Sequence, residues 1–151
     1  MTLRPELTPN IQRAEKLFPK VLELISQYDS AFDQEDKHTK QLVLKELNSL
    51  TKKNLENHDL FEYWSYISKE DLAFKFSLPA PKKVDTITEE EIKEIQNRIT
   101  SLENADKALH EKLSTFLFSH GVIISYILVD AYYHPLLELN DPSSSSDVIC
   151  L

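Results

Sequence analysis

The residues able to do chemistry in this chain are five histidines, one cysteine and a surplus of carboxylates. Asp130 and His134 have the best metal spacing: four apart, they share one face if the segment is helical, with His120 available as a third ligand. The competing interpretation is an Asp–His hydrogen bond in a core segment, or an exposed histidine ahead of Pro135. No HExxH occurs, so no metal and no cofactor are expected. Ser119 and His120 are neighbours, and adjacent side chains diverge on a helix, so they do not make a nucleophile–base pair. Cys150 lies in a polar terminal run with nothing to fix a base beside it. No catalytic residue is expected.

The carboxylates are distributed unevenly. Between Asp85 and Asp106, seven acids face only Lys93 and Arg98, a net of five of the chain's eight negative charges. Glu89, Glu90, Glu91 and Glu94 occupy the first turns of an expected helix, where the macrodipole favours anions. A general acid would need a carboxyl in an apolar pocket, which nothing in the sequence supplies. The bland interpretation is a solvated helix face. The sharper one is an acidic face that meets a basic protein, since complementary charge steers encounter and sets specificity. Upstream lie Phe61, Tyr63, Trp64, Tyr66, Phe74 and Phe76, either core or a partly exposed binding surface of the kind that Tyr and Trp anchor. The expected partner-binding set is therefore Asp85, Glu89, Glu90, Glu91, Glu94, Tyr63, Trp64 and Tyr66.

Composition removes other classes. The single glycine, Gly121, excludes GxGxxG and Walker loops, which need several. A net charge of −8 opposes binding to phosphate backbones and anionic lipid, and the only basic pairs are Lys52–Lys53 and Lys82–Lys83. No nucleic-acid or membrane partner is expected. The longest apolar stretch, Val122–Val129, is far short of the ~20 residues of a membrane span. The N-terminal residues lack the apolar core of a signal peptide, and one cysteine makes no intramolecular disulfide, so a cytoplasmic location is expected.

At 151 residues the chain has the length of one ordinary domain. One glycine disfavours a sheet of tight hairpins. The expected fold is all-α: five to seven helices over residues 1–140, with room for one minor strand pair, and a flexible tail over 141–151. Thr8–Pro9 reads as a cap and first helical residue, opening a helix with Ile11, Ala14, Phe18, Val21, Leu22, Ile25 and Tyr28 on one face and Pro19 within it. Asp29–Asp36 reads as a turn. A second helix runs from about Thr39 to Lys52–Lys53. Asp59 can cap a short aromatic helix, and Ser68 another. Residues 72–78 alternate like a strand, but the preceding cap favours a helix. Thr88-Glu-Glu-Glu91 is a capping box ahead of Ile92, Ile95, Ile99 and Leu102. A further helix follows Asp106, and Gly121 ends it. Residues 122–129 are apolar all round, hence central, and helix and strand compete there until Pro135 stops the element.

The stretch YWSYISKEDLAFKFSLPAPKKVDTITEEEIKEIQNRI, Tyr63 to Ile99, resembles small helical domains of bacterial toxin–immunity loci. The similar features are an aromatic helix, Ser-x-Glu-Asp-Leu-Ala, a Pro-x-Pro linker and Thr-Glu-Glu-Glu opening an Ile-rich helix. They cover about a quarter of the chain. The resemblance implies a cytoplasmic inhibitor that covers the active site of a cognate toxin, and the common basicity of toxin nucleases suits the acidic stretch. Two alternatives stand beside it. One is a helical enzyme or metalloprotein using Asp130, His134 and His120. The other is a homo-oligomeric regulatory or structural protein with Val122–Tyr133 and the aromatic cluster as subunit contacts.

Overall fold

A computed structural model describes residues 3–84 and 86–140. The fold is all-α, with no strand among the described residues. In chain order the α-helices are α1 (Ile11–Asp33), α2 (Lys37–Thr51), α3 (Asn57–Leu60), α4 (Lys69–Ser77), α5 (Glu89–Glu103), α6 (Lys107–Leu113), α7 (Thr115–Ser119), α8 (Ile124–Leu128) and α9 (His134–Asn140). Single 3₁₀ turns cover Pro5–Leu7 and Tyr63–Ser65, and a π-helical turn covers Val129–Tyr133. No helix among the described residues is long and apolar enough to cross a membrane. Within the span read as one domain, contacts cluster into two compact units.

One unit comprises Asn10–Pro79 and Phe116–Val122. Its axis is α1, which packs on α2 and α4. Ala14, Phe18, Val21, Ile25 and Tyr28 recur every three or four residues and are buried, as a helix with one apolar stripe requires. Leu24 is buried too, whereas Leu22, expected on that face, is half-exposed. The first cap differs from expectation. Asn10, not Thr8, caps α1, its Oδ1 accepting the Arg13 amide at 3.0 Å, while the Thr8 hydroxyl donates to Arg4 O. The helix also runs through Pro19 and on to Asp33, past the expected turn at Asp29. It continues because Tyr28 and Ala31 extend the buried stripe by one more turn. Asp36 then caps α2, its carboxylate accepting the Thr39 amide and hydroxyl.

Helix α4 explains the ambiguous alternation at 72–78. Leu72, Ala73, Phe74, Phe76, Ser77 and Leu78 are all buried, so the helix has no solvent face to print a 3.6-residue period. Its Ser68 cap, accepting the Asp71 amide at 3.1 Å, is as the sequence predicts. Gly121, at φ +81°, ends α7. Its amide bonds Phe118 O and the Val122 amide bonds Leu117 O, the paired closure that a left-handed residue after a helix allows.

The other unit comprises Met1–Pro9, Ala80–Thr115 and Ile123–Leu151, of which the expected tail, 141–151, lies outside the described residues. Helix α5 packs on α8, the π turn and α9, and α6 packs on α8. The Thr88–Glu91 capping box forms as predicted. Within 122–129 the helix begins at Ile124, and the stretch is not buried all round: Ile123 and Tyr126 are exposed while Ile124, Ser125, Ile127 and Leu128 are buried. Nor does Pro135 stop it. The π turn closes with the His134 amide on Val129 O, five residues back, and α9 continues to Asn140. A proline's missing N–H and bulky ring are least disruptive where the ladder is already widened and changing register.

Candidate functional site

The surface that stands out is aromatic and lies in the unit built on α1. Residues 55–66 leave α2 through Lys52, in the left-handed region at φ 61°. The segment is then pinned at several points. The Asn48 side chain bonds both the amide and the carbonyl of Leu55, at 2.6 and 3.0 Å. The Tyr28 hydroxyl meets Asn57 Oδ1 at 3.2 Å, and Asp59 Oδ2 accepts the Glu56 amide at 2.8 Å. Thus Asp59 does act in a cap, but for the short α3, which Phe61 ends, and Tyr63 and Trp64 follow in the 3₁₀ turn. Glu62 sits at φ 50°, a region that a residue with a side chain occupies only when its neighbours are held.

Tyr63 supplies one such hold. Its ring is buried, and its hydroxyl donates to Asp29 Oδ2 at 2.6 Å. Burial pushes the phenol well above its ordinary pKa, and the hydrogen bond to Asp29 and the charges of Asp29 and Glu70 push the same way. Around this anchor the other rings face outward. Phe61, Trp64 and Tyr66 are 51%, 55% and 65% exposed, against 0% for the core ring of Phe74. Phe32, at the end of α1, makes edge contacts at 5.9 Å with both Phe61 and Trp64, and Tyr63 meets Trp64 at 5.5 Å. Lys40 places its ammonium 5.3 Å from the Phe32 ring centre. Exposed large rings held by a rigid, hydrogen-bonded segment lose little entropy on contact, which is what an interface anchor needs.

The predicted site residues separate by what they already hold. Trp64 and Tyr66 are free to the surface, as are Glu89 and Glu90 on the first turn of α5 in the other unit. Tyr63 is spent internally on Asp29. Glu91 is buried, and Arg4 grips both its oxygens, Nε at 2.7 Å from Oε2 and Nη2 at 3.1 Å from Oε1. The hydrogen bonds from Arg4 hold this carboxyl below its ordinary pKa against the opposing pull of burial, and the Thr88 amide assists. Glu94 is half-buried and pairs with Arg98 at 3.0 Å. Asp85 lies outside the described residues.

The alternative chemistry fares differently. Asp130 and His134 both line a cleft of about 380 Å³, with Leu102, Glu103, Ser125, Tyr126 and Val129. His120, the expected third ligand, instead has its ring against Phe18 and Phe116, with Nδ1 2.9 Å from Phe116 O. Among the described residues no three His, Cys, Asp or Glu side chains are grouped to hold a metal. Ser119 lies 3.4 Å from His120 Nδ1, but its hydroxyl donates to Phe116 O at 2.6 Å. Cys150 lies outside the described residues. Sequence reasoning missed one pair: Ser125 Oγ, in the wall of the cleft, is 2.7 Å from His110 Nε2. The two are fifteen residues apart, on different helices, and no local spacing marks them.

Compared with known protein families, with curated proteins and with solved structures, the chain matches none.

Proposed function

We propose that this protein is a cytoplasmic protein-binding module, and specifically an immunity-type inhibitor that neutralises a basic cognate toxin. The observation that carries the proposal is the exposed trio Phe61, Trp64 and Tyr66 on a backbone fixed from below by Tyr63 and Asp29. A patch of this kind is costly to leave in water and is characteristic of a recognition surface. Glu89 and Glu90, both exposed at the start of α5, and the net charge of −8 favour a partner of positive charge.

The test is co-expression with basic proteins encoded beside the gene, followed by gel filtration and calorimetry. A stoichiometric complex is expected, weakened by salt and by Trp64→Ala with Tyr66→Ala. A complex that ignores both substitutions and salt, or no complex with any neighbouring product, sinks the proposal. Light scattering on the protein alone separates the homo-oligomeric alternative, in which Trp64→Ala would turn a concentration-dependent oligomer into a monomer.

A further inference from the structure

Three features of the aromatic surface converge on the chemistry of what it receives. First, its rings present π faces, whose negative quadrupole attracts cations. The protein shows this on itself, with the Lys40 ammonium over Phe32. Second, Asp29 is half-satisfied. Oδ2 accepts the Tyr63 hydroxyl, but Oδ1 is buried and has no hydrogen-bond partner, the single such side-chain oxygen or nitrogen among the described residues. Third, Asp29 joins no ion pair among the described residues, and its charge and that of Glu70 both act on the Tyr63 ring system that abuts Trp64. Glu62, exposed between Phe61 and Tyr63, adds a third carboxylate, this one on the aromatic segment itself. A buried carboxylate oxygen without a partner is rare enough to require an explanation, and a half-satisfied carboxylate bonded to one ring of an exposed aromatic cluster supplies half of a cation site.

We propose that the Phe32–Phe61–Trp64 surface is a receptor for one cationic side chain of the protein partner, a lysine ammonium or arginine guanidinium, with Asp29 as its counter-charge. The inference rests on the protein-binding function above and gives it a chemical key. Lys40 then acts as a resident competitor that screens the aromatic faces until the partner's cation replaces it. Arginine suits the site better than lysine, because its flat, weakly hydrated guanidinium stacks on a ring. The rings admit the side chain's apolar stem while the carboxylate favours its charged head, so an acidic or purely apolar segment gains only part of the interaction.

Trp64 is the one tryptophan in the chain, so its fluorescence reports on this surface alone. The full chain is titrated to millimolar concentration with capped alanine–glycine peptides carrying one central arginine, lysine or norleucine. Saturable changes are expected with the arginine and lysine peptides. Binding of the norleucine peptide should be about fivefold weaker or more, the factor that an ordinary cation–π contact gives. Asp29→Asn, which still accepts the Tyr63 hydroxyl, should weaken arginine binding without loss of helicity. Lys40→Met should strengthen it, a gain that a misfolded variant would not produce. Equal binding of norleucine, no binding of any peptide, or indifference to both substitutions overturns the cation receptor. If those results accompany a stoichiometric partner complex that still depends on Trp64, the protein-binding function stands and only its key is wrong. If the peptides bind as expected but no basic partner is found, the receptor stands and the toxin-inhibitor function falls.

Discussion

Arg4 and Glu91 meet through two hydrogen bonds, although 87 residues separate them in the chain. The pair ties the segment before α1 to the first turn of α5, and Arg4 also bonds Thr86 O at 2.6 Å. Glu91 simultaneously accepts the Thr88 amide, so one carboxylate serves both a capping box and a long-range ion pair. Arg4→Ala leaves that buried carboxylate short of donors and should cost about 1–3 kcal/mol in urea denaturation. The pH dependence has a definite sign. A carboxyl held below its ordinary 4.5 in the folded state contributes stability that is fully present above about pH 4.5. That contribution disappears as pH falls through the lowered folded value. Glu91→Gln should flatten this acid limb, and an unchanged limb in the variant would assign acid sensitivity to other groups.

Asn140 closes a second long-range clasp. Its Oδ1 accepts the Val84 amide at 2.7 Å, and its Nδ2 donates to Lys82 O and to Leu136 O, both at 3.0 Å. Residues 82–84, which follow the Pro-x-Pro run, are therefore held by the last turn of α9. Asn140→Ala should cost about 2–3 kcal/mol, the sum of three modest bonds to backbone groups left in part without water. Amide exchange at Val84 should accelerate more than exchange in the middle of α5. Uniform acceleration would mean global destabilisation instead.

Lys53 predicts a gain of stability in alkali. It is half-buried, with Nζ donating to Lys75 O at 2.9 Å near the end of α4. Burial, and then the charge of Lys75, lower its pKa from 10.5 to about 8. The unfolded chain thus binds more protons than the folded one between about pH 8 and 10.5, and stability rises with pH across that window. Tyr63 acts oppositely. Its raised phenol contributes stability that is present below pH 10 and lost above it. Compared with Lys53→Met, the natural protein should gain in denaturation midpoint from pH 7.5 to 9.5. A constant difference between the two would show that the amine titrates normally.

Gly121 should resist substitution for reasons of backbone alone. A Cβ added there meets nothing within 4 Å, yet φ is +81°. Gly121→Ala should cost about 1–2 kcal/mol in thermal melts, with Asn tolerated better. Equal melts for the three residues would mean that the α7 terminus adopts another closure.

The sequence was informative wherever an interaction is local. The Thr88–Glu91 box, the Ser68 cap and the Gly121 terminus each lie within a few residues and were legible, because a cap is a contract between near neighbours. The apolar stripe of α1 was legible because one face is buried and the other wet. Thr8 was a misleading start, since Asn10 stands two residues on and is also a good cap, and local propensity does not rank two candidates this close. Helix α4 gave a strand-like pattern because burial on all sides erases periodicity.

What the sequence determined by itself is therefore the class of the fold and its punctuation: an acidic all-α chain whose single glycine excludes phosphate loops. Tertiary structure alone decided which acids and aromatics remain at the surface. It buried Glu91 on Arg4 and Tyr63 on Asp29, and left Glu89, Glu90, Trp64 and Tyr66 exposed. The physical reason is that hydrogen-bond partners 34 and 87 residues away leave no periodic trace in the chain. Whether a carboxylate or ring is strut or surface depends on a neighbour that only folding supplies.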